Sequence, residues 1–261
     1  MGEASKIDPR AIVDAAASLG DGVDVGPFAI LGPGVVVGDR TRIEAHTVVH
    51  RDTEIGSDNR IGPMASVGGD PQDLKYAGEP TRLIIGSGNR VHEYVTLNRG
   101  TAGGGGVTRI GDGNLFMAYA HVGHDCQVGS EIVFANAATL AGHVDVGDHA
   151  TVGAYSGVHQ FCRVAKHAFI GGYSVLTQDA LPWVLTVGNR ATTHGLNLVG
   201  LRRGGYSRES IRALKRCYQE LVRSKAKVDE ASARLEEEFG EIEEARYFID
   251  FVRSSERGIC R

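Results

Sequence analysis

The sequence lacks the features of three common protein classes. Its four cysteines are widely spaced and form no CxxC pair, so the sequence indicates neither a disulfide framework nor a structural zinc site. No run of about 18 apolar residues occurs, and the N-terminal stretch contains no apolar signal segment. The formal net charge of −4 argues against a general nucleic-acid binder. We therefore expect a cytoplasmic protein that neither inserts into a membrane nor binds nucleic acid.

What the sequence has instead is glycine and a six-residue period. Hydrophobic residues recur at every sixth position from Val13 to Val67 and again, with one slip, from Ile85 to Leu176. A period of six is not helical, because positions i and i+6 lie on different faces of a helix, whereas short strands that each turn one residue inward satisfy it. The 36 glycines suit the tight corners between such strands. The pattern predicts a mainly β protein, a parallel β-helix of hexapeptide repeats.

The period ends near Thr186, and helical spacing follows it. Ser207 can cap a segment with Ile211 and Leu214 on one face, and two further helical segments come after it. We therefore predict a β-helix over residues 1–190 and a C-terminal α-helical domain over residues 191–261. Interruptions at 69–84 and 102–108 predict two loops that leave the coil, either as tolerated insertions or, for the polar first loop, as a ligand clamp.

Basic residues cluster where the helical part begins. Such a cluster is usually a solvated face, but it would also attract an anionic partner. We call it the basic strip; its members are Arg202, Arg203, Arg208, Arg212, Lys215 and Arg216.

Histidines concentrate in the second block of repeats. His124, His143 and His159 follow one another at intervals close to one coil, so their imidazoles are expected near one corner on successive coils. Two chemistries compete for such a column. Converging neutral imidazoles could bind zinc, as in the γ-class carbonic anhydrases. Alternatively His124 could act as a general base for acyl transfer, with the adjacent Asp125 holding its other nitrogen. A non-catalytic scaffold would have no use for this column.

Several longer segments resemble one known family. They are QDLKYAGEPTR (72–82), NRGT with the glycine loop after it (98–106), AHVGHDCQVG (120–129), ATLAGHV (138–144), VHQF (158–161) and GLNLVGLRR (195–203). In this order they are similar to segments of the UDP-N-acetylglucosamine 3-O-acyltransferases of lipid A biosynthesis, and the resemblance covers the whole chain. It implies a left-handed parallel β-helix that forms a homotrimer with active sites between adjacent subunits. The implied reaction moves an (R)-3-hydroxyacyl group from acyl carrier protein to the 3-hydroxyl of UDP-N-acetylglucosamine, with no metal and no resident cofactor.

The resemblance also implies roles for individual residues. His124 is the general base, Asp125 orients it, and the N–H of Gly142 helps hold the oxyanion. Positions associated with the sugar nucleotide or the acyl chain are Asp73, Lys75, His121, His143, His159, Gln160, Asn197 and Arg203. Positions associated with acyl-chain length are Phe169, Gly172 and Arg190. The basic strip is then a candidate docking surface for the acidic carrier protein.

Three positions depart from the family's pattern. Asn98 stands where well-known members have His, Val199 where they have an acidic residue, and Gly204 where they have a second Arg. These departures leave open a 3-amino analogue of UDP-N-acetylglucosamine as the acceptor, which would give an N-acylated product.

Overall fold

The computed structural model describes residues 4–224 and 226–261. The first three residues of the predicted repeat domain and Lys225 lie outside the described residues. Within the described ranges, no helix is long and apolar enough to cross a membrane.

In the part of the chain that the structure describes, twenty-eight short strands wind into three sheets that form the sides of a prism. The first sheet contains Lys6–Ile7, Asp24–Val25, Arg42–Ile43, Arg60–Ile61, Arg90–Val91, Leu115–Phe116, Val133–Phe134, Thr151–Val152, Phe169–Ile170, Val184–Val187 and Thr192–Leu196. The second contains Ile12–Val13, Ile30–Leu31, Val48–Val49, Ser66–Gly69, Thr96–Asn98, His121–Val122, Thr139–Leu140, Gly157–Val158 and Val175–Leu176. The third contains Ser18–Leu19, Val36–Val37, Thr53–Ile55, Arg82–Ile85, Val107–Ile110, Gln127–Val128, Asp145–Val146 and Arg163–Val164. All named strand pairs are parallel except the final one, Val184–Val187 with Thr192–Leu196.

The predicted period-six residues point into the prism. Val25, Leu31, Val37, Ile43 and Val49 are all buried, and each packs in register with its counterpart one coil away. Burial of one apolar residue per strand on every coil gives a continuous core along the axis, to which stacked rings such as those of Phe116 and Phe134 contribute. The predicted left-handed parallel β-helix with C-terminal helices is confirmed.

The corners of the prism place non-glycine residues in the left-handed region of the backbone. Asp125, His143 and Phe161 have φ values of 60°, 60° and 62° on three successive coils, and similar values recur at corners far from them. Because the conformation belongs to the coil as a whole, positive φ does not mark a functional site here.

Two segments leave the coil. Residues 70–81 connect the strands that end at Gly69 and begin at Arg82, and residues 99–106 connect Asn98 to Val107 with a 3₁₀ turn at Ala102–Gly104. The residue offset between stacked positions is therefore 18 in a regular coil, but 30 across the first segment and 25 across the second. The coil resumes in register after each.

The helices follow the last strand: α1 (Leu198–Arg203), α2 (Arg208–Tyr218), which continues as a π-helical turn (Gln219–Arg223), α3 (Val228–Phe239) and α4 (Glu243–Arg253). They form a second hydrophobic core against the last coils, with Leu214, Phe248 and Trp183 among its buried members. Arg163 ties this unit to the β-helix, because its guanidinium pairs with Asp179 and donates to the carbonyl of Phe251. The division at residue 190 stays a prediction, and the last strand lies just beyond it.

Candidate active site

His124 and Asp125 form a hydrogen-bonded dyad at the corner that follows the strand His121–Val122. His124 Nδ1 lies 2.8 Å from Asp125 Oδ2. An ionised carboxylate only accepts hydrogen bonds, so Nδ1 carries the proton and Nε2 keeps its lone pair. His124 is thus oriented as a base whose proton-accepting nitrogen points away from the carboxylate.

The Asp125 carboxylate is buried and its oxygens are engaged. The backbone N–H of Thr101 donates to Oδ1 over 2.8 Å, and the Thr101 hydroxyl lies 2.7 Å from Oδ2. His143 Nε2 is 3.6 Å from the same Oδ2. A buried charge requires this kind of compensation.

Gly142 lies beside the His124 imidazole on the next coil. A β-carbon added to Gly142 would come within 2.6 Å of His124 Nε2, so only glycine leaves room for the ring. Among the described residues, none accepts a hydrogen bond from the Gly142 N–H. An unengaged N–H next to the nitrogen that accepts a proton is the arrangement that an oxyanion hole needs.

The coil of 18 residues determines how the histidines stack. The interval from His124 to His143 is one residue longer than a coil, so His143 lies above Asp125 rather than above His124, and Phe161 stacks on His143 with ring centroids 4.5 Å apart. The two imidazoles still meet edge to face at 5.1 Å. The interval to His159 is two residues too short, and that ring is exposed, with its Nδ1 3.4 Å from Arg257. His124 and His143 therefore come together, and His159 and Gln160 lie one coil further along.

His121 lies on the outer face of the second sheet, three residues before His124. Its Nδ1 is 2.7 Å from the hydroxyl of Thr96. Burial, and secondarily the neighbouring His124, lowers the pKa of His121. His121 is therefore neutral at pH 7 and suited to hydrogen bonding.

Asp73 and Lys75 lie on the ejected segment 70–81. Asp73 Oδ1 accepts from the backbone N–H of Lys75 over 3.0 Å, and the Lys75 side chain is exposed. Leu74 between them is fully exposed. Within the described chain, no hydrogen bond or ion pair joins Asp73 or Lys75 to the dyad.

A cleft whose lining does not include the dyad lies where α1 meets the β-helix, and we call it the second cleft. It is lined by His149, His167, Phe169, Asn197, Val199 and Arg203, among others. Asn197 caps α1, since its Oδ1 accepts from the N–H of Gly200 over 2.9 Å. Burial, together with the nearby charges of His149 and Lys166, lowers the pKa of His167 to about 4, and the Tyr206 hydroxyl is 2.8 Å from its Nε2.

The structure places the three predicted chain-length residues at the last coils of the β-helix. Phe169 lies in the cleft with Asn197 and Arg203. Gly172 is exposed at the corner that follows the strand Phe169–Ile170, and Arg190 is exposed in the connection between the last two strands.

The donor atoms of His124, Asp125 and His143 all lie within 4.8 Å of one another, so these three residues could also hold a metal ion. The carboxylate oxygen and the imidazole nitrogen nearest each other are already joined by a hydrogen bond. Proton transfer makes use of that bond, because it keeps the proton on Nδ1 and leaves Nε2 as the acceptor.

The sequence pattern did not single out the side chains that support the site. Thr101 holds Asp125, Thr96 holds His121, and Arg99 lies buried under the segment 70–81 with its Nη1 2.8 Å from the carbonyl of Gly68. Arg99 and Thr101 belong to the NRGT segment, so the resemblance marked their position although not their contacts.

Comparisons with known proteins identify families and relatives that this chain resembles. Residues 17–51 match the bacterial transferase hexapeptide family, and residues 179–260 match the family described as UDP N-acetylglucosamine O-acyltransferase, domain 2. An acyl-[acyl-carrier-protein]–UDP-N-acetylglucosamine O-acyltransferase of Alkalilimnicola ehrlichii is 57% identical over 98% of this chain and 100% of its own length. A relative of the same name from Paraburkholderia phymatum is 50% identical over 98% of this chain and 100% of its own length. The crystal structure of the UDP-N-acetylglucosamine O-acyltransferase of Moraxella catarrhalis is 42% identical, superposes with a TM-score of 0.96, and covers 98% of this chain and 99% of that one.

The β-helix, the match to the hexapeptide transferase family and the names of the relatives place the chain among the hexapeptide-repeat acyltransferases. Within that class, the identity over nearly the full length shows that the chain belongs to the UDP-N-acetylglucosamine O-acyltransferase family.

Proposed function

We propose that this protein transfers an (R)-3-hydroxyacyl group from acyl carrier protein to the 3-hydroxyl of UDP-N-acetylglucosamine, the first step of lipid A biosynthesis, and that it acts in the cytoplasm. The observation that carries the proposal is the His124–Asp125 dyad, with its free Nε2 beside the unengaged N–H of Gly142. The relatives are named O-acyltransferases, which favours a hydroxyl acceptor over the 3-amino analogue and over zinc chemistry.

In the reaction, His124 Nε2 removes the proton from the sugar hydroxyl as the oxygen attacks the thioester carbonyl. The oxygen–carbon bond forms and the carbonyl oxygen becomes an oxyanion, to which the N–H of Gly142 donates. The carbon–sulfur bond then breaks and the new ester remains on the sugar. The departing thiolate takes the proton from His124, so the enzyme returns to its starting state with no net proton change. Throughout, Asp125 keeps the proton of Nδ1 in place and stabilises the transient imidazolium.

We assign the remaining predicted residues to substrate binding. His121 and His143 flank the dyad, and His159 and Gln160 are exposed one coil further along. In the second cleft, the exposed guanidinium of Arg203 and the amide of Asn197 suit a nucleoside diphosphate, because Arg binds phosphate oxygens through a fork of donors. Asp73 and Lys75 would reach the substrate from the segment 70–81. Phe169, Gly172 and Arg190 would limit the length of the acyl chain.

A homotrimer would complete this site. Apolar and aromatic side chains lie exposed along one corner of the prism and at the tip of the segment 70–81: Phe28, Met64, Leu74, Tyr94, Tyr119, Tyr155 and Tyr173. An exposed row of apolar side chains of this kind is typical of a surface that another chain covers. Threefold association would bring the segment 70–81 of one subunit against the His124–Asp125 dyad of its neighbour. Within one described chain, Asp73 and Lys75 of this segment make no hydrogen bond or ion pair with the dyad.

Docking of acyl carrier protein is assigned to the basic strip. All six of its side chains are exposed. Arg216 pairs with Glu220 and Glu238, whereas the other five form no ion pair with a described residue. Exposed, unpaired cations would attract an acidic carrier protein and raise its rate of association.

The test is incubation with carrier-protein thioesters of several 3-hydroxyacyl chains and either UDP-N-acetylglucosamine or its 3-amino analogue, with products identified by mass spectrometry. We expect an alkali-labile ester on UDP-N-acetylglucosamine that forms only with the thioester present, since an amide would resist alkali. An absence of product with every thioester would contradict the proposal. Stoichiometric bound zinc together with CO₂ hydration would support the competing zinc chemistry.

A further inference from the structure

The Asp125 carboxylate is held on both of its oxygens by one residue, Thr101. The N–H of Thr101 donates to Oδ1 and its hydroxyl bonds Oδ2, over 2.8 and 2.7 Å. The same Oδ2 accepts the Nδ1 proton of His124. Rotation of the carboxylate would break both bonds to Thr101 at once, so its plane, and with it the direction of the bond to His124, is fixed.

The direction of the Thr101 hydroxyl is also determined. Its oxygen is 3.1 Å from the N–H of Gly104, from which it can only accept. The single hydroxyl proton is therefore free to point at Asp125 Oδ2, which has no proton to give in return. Along this path the N–H of Gly104 donates to the Thr101 hydroxyl, the hydroxyl donates to Asp125, and Asp125 also accepts from His124.

The four glycines of the following loop have different reasons to be glycine. Gly105 and Gly106 have φ values of 93° and 81°, which other residues rarely adopt. A β-carbon on Gly103 would meet nothing within 4 Å. A β-carbon on Gly104 would overlap the carboxylate of Asp125, although the backbone of Gly104 is not in the left-handed region. Gly104 is therefore glycine because it packs directly on the carboxylate.

From these contacts we propose that Thr101 and Gly104 are positioning residues that hold Asp125, and through it His124, in the geometry for proton transfer; this rests on the proposed acyltransferase function. The loop at 102–106 is then a functional cover of the dyad and not a tolerated insertion. Gly104 packs on the carboxylate, and Thr101 keeps both of its oxygens bonded to protein.

Residues 98–101, which end at Thr101, also hold the other ejected segment, 70–81. Asn98 Nδ2 donates to the carbonyl of Asp70 over 2.8 Å, and the buried guanidinium of Arg99 contacts Asp70 and Tyr76. Residues 98–101 thus attach the segment that carries Asp73 and Lys75 to the turn that holds the dyad. The two interruptions of the repeat meet at this turn.

The test compares Thr101→Val, Thr101→Ser, Gly104→Ala and the matched control Gly103→Ala in the full-length protein. Valine keeps the shape of Thr101 but removes the hydroxyl, so we expect kcat to fall about ten- to hundredfold with KM for both substrates within about twofold of wild type. Serine restores the donor and should restore kcat. Gly104→Ala should lose activity to a similar degree, and Gly103→Ala should match wild type.

A pH profile separates positioning from a structural effect. Without the hydroxyl donor, the charge of Asp125 is less compensated and stabilises the His124 imidazolium more, so the acid limb of kcat/KM should move to higher pH in Thr101→Val. Melting temperature and sedimentation establish that each variant is folded.

Three results would overturn the inference: a folded Thr101→Val with kcat within about twofold of wild type, a loss confined to KM, or equal activities for Gly104→Ala and Gly103→Ala. If Thr101→Val does not fold, the comparison between the two glycine variants decides. An inactive wild type would instead count against the proposed function.

Discussion

Gly142→Ala should disable the enzyme without unfolding it. The added β-carbon would lie 2.6 Å from His124 Nε2, whereas carbon and nitrogen atoms in ordinary contact are about 3.5 Å apart. The imidazole must therefore move by about 1 Å. It cannot swing aside freely, because its Nδ1 is held by Asp125 at 2.8 Å. The displacement falls on the nitrogen that must accept the proton.

A misplacement of about 1 Å at a reacting group costs on the order of 10²-fold in rate, so we expect kcat to fall by about that factor. The backbone should tolerate alanine, because Gly142 is not in the left-handed region. Steady-state kinetics with a saturating carrier thioester measures the effect, and Gly103→Ala serves again as the control. A folded Gly142→Ala with kcat within about threefold of wild type would refute the reasoning about this contact.

Three further predictions concern partners and specificity. Added salt should raise KM for the carrier-bound donor far more than for the UDP-sugar, because the basic strip is exposed and screened; equal sensitivity would count against docking there. Gly172→Met should block the groove that binds the acyl chain, and so shift the optimum of kcat/KM across a series of 3-hydroxyacyl thioesters to a shorter chain. Each methylene that is no longer buried in the groove loses about 0.8 kcal/mol of binding free energy. An unchanged optimum would show that the groove does not pass Gly172. Sedimentation should find a trimer, and a stable, active monomer would contradict the shared site.

The fold was predictable because each coil repeats the same local rule. One apolar residue per strand, as at Val25, Leu31 and Val37, is buried wherever the period holds, so the count of six carries the architecture. The period also showed where the chain leaves the coil. It could not show how the ejected segments run, because their path depends on contacts between residues far apart in the sequence.

The dyad was likewise predictable, because His124 and Asp125 are neighbours in the chain. The contacts around it were not. His143 follows His124 by one residue more than the length of a coil. This single residue decides that His143 lies over Asp125 and not over His124. Thr101 reaches Asp125 across 24 residues of sequence, through a loop whose glycines indicate a turn but not its destination. The role of individual binding residues stays a prediction for the same reason.

The most direct measurement of the central claim is the kcat of His124→Ala with 3-hydroxyacyl carrier protein and UDP-N-acetylglucosamine, beside wild type of the same assembly state. Loss of a general base lowers the rate by a factor of about 10² to 10⁴, and we predict a fall of at least that size with the melting temperature and sedimentation unchanged. Retention of more than about a tenth of the wild-type kcat would contradict the assignment and make His121 the next residue to test.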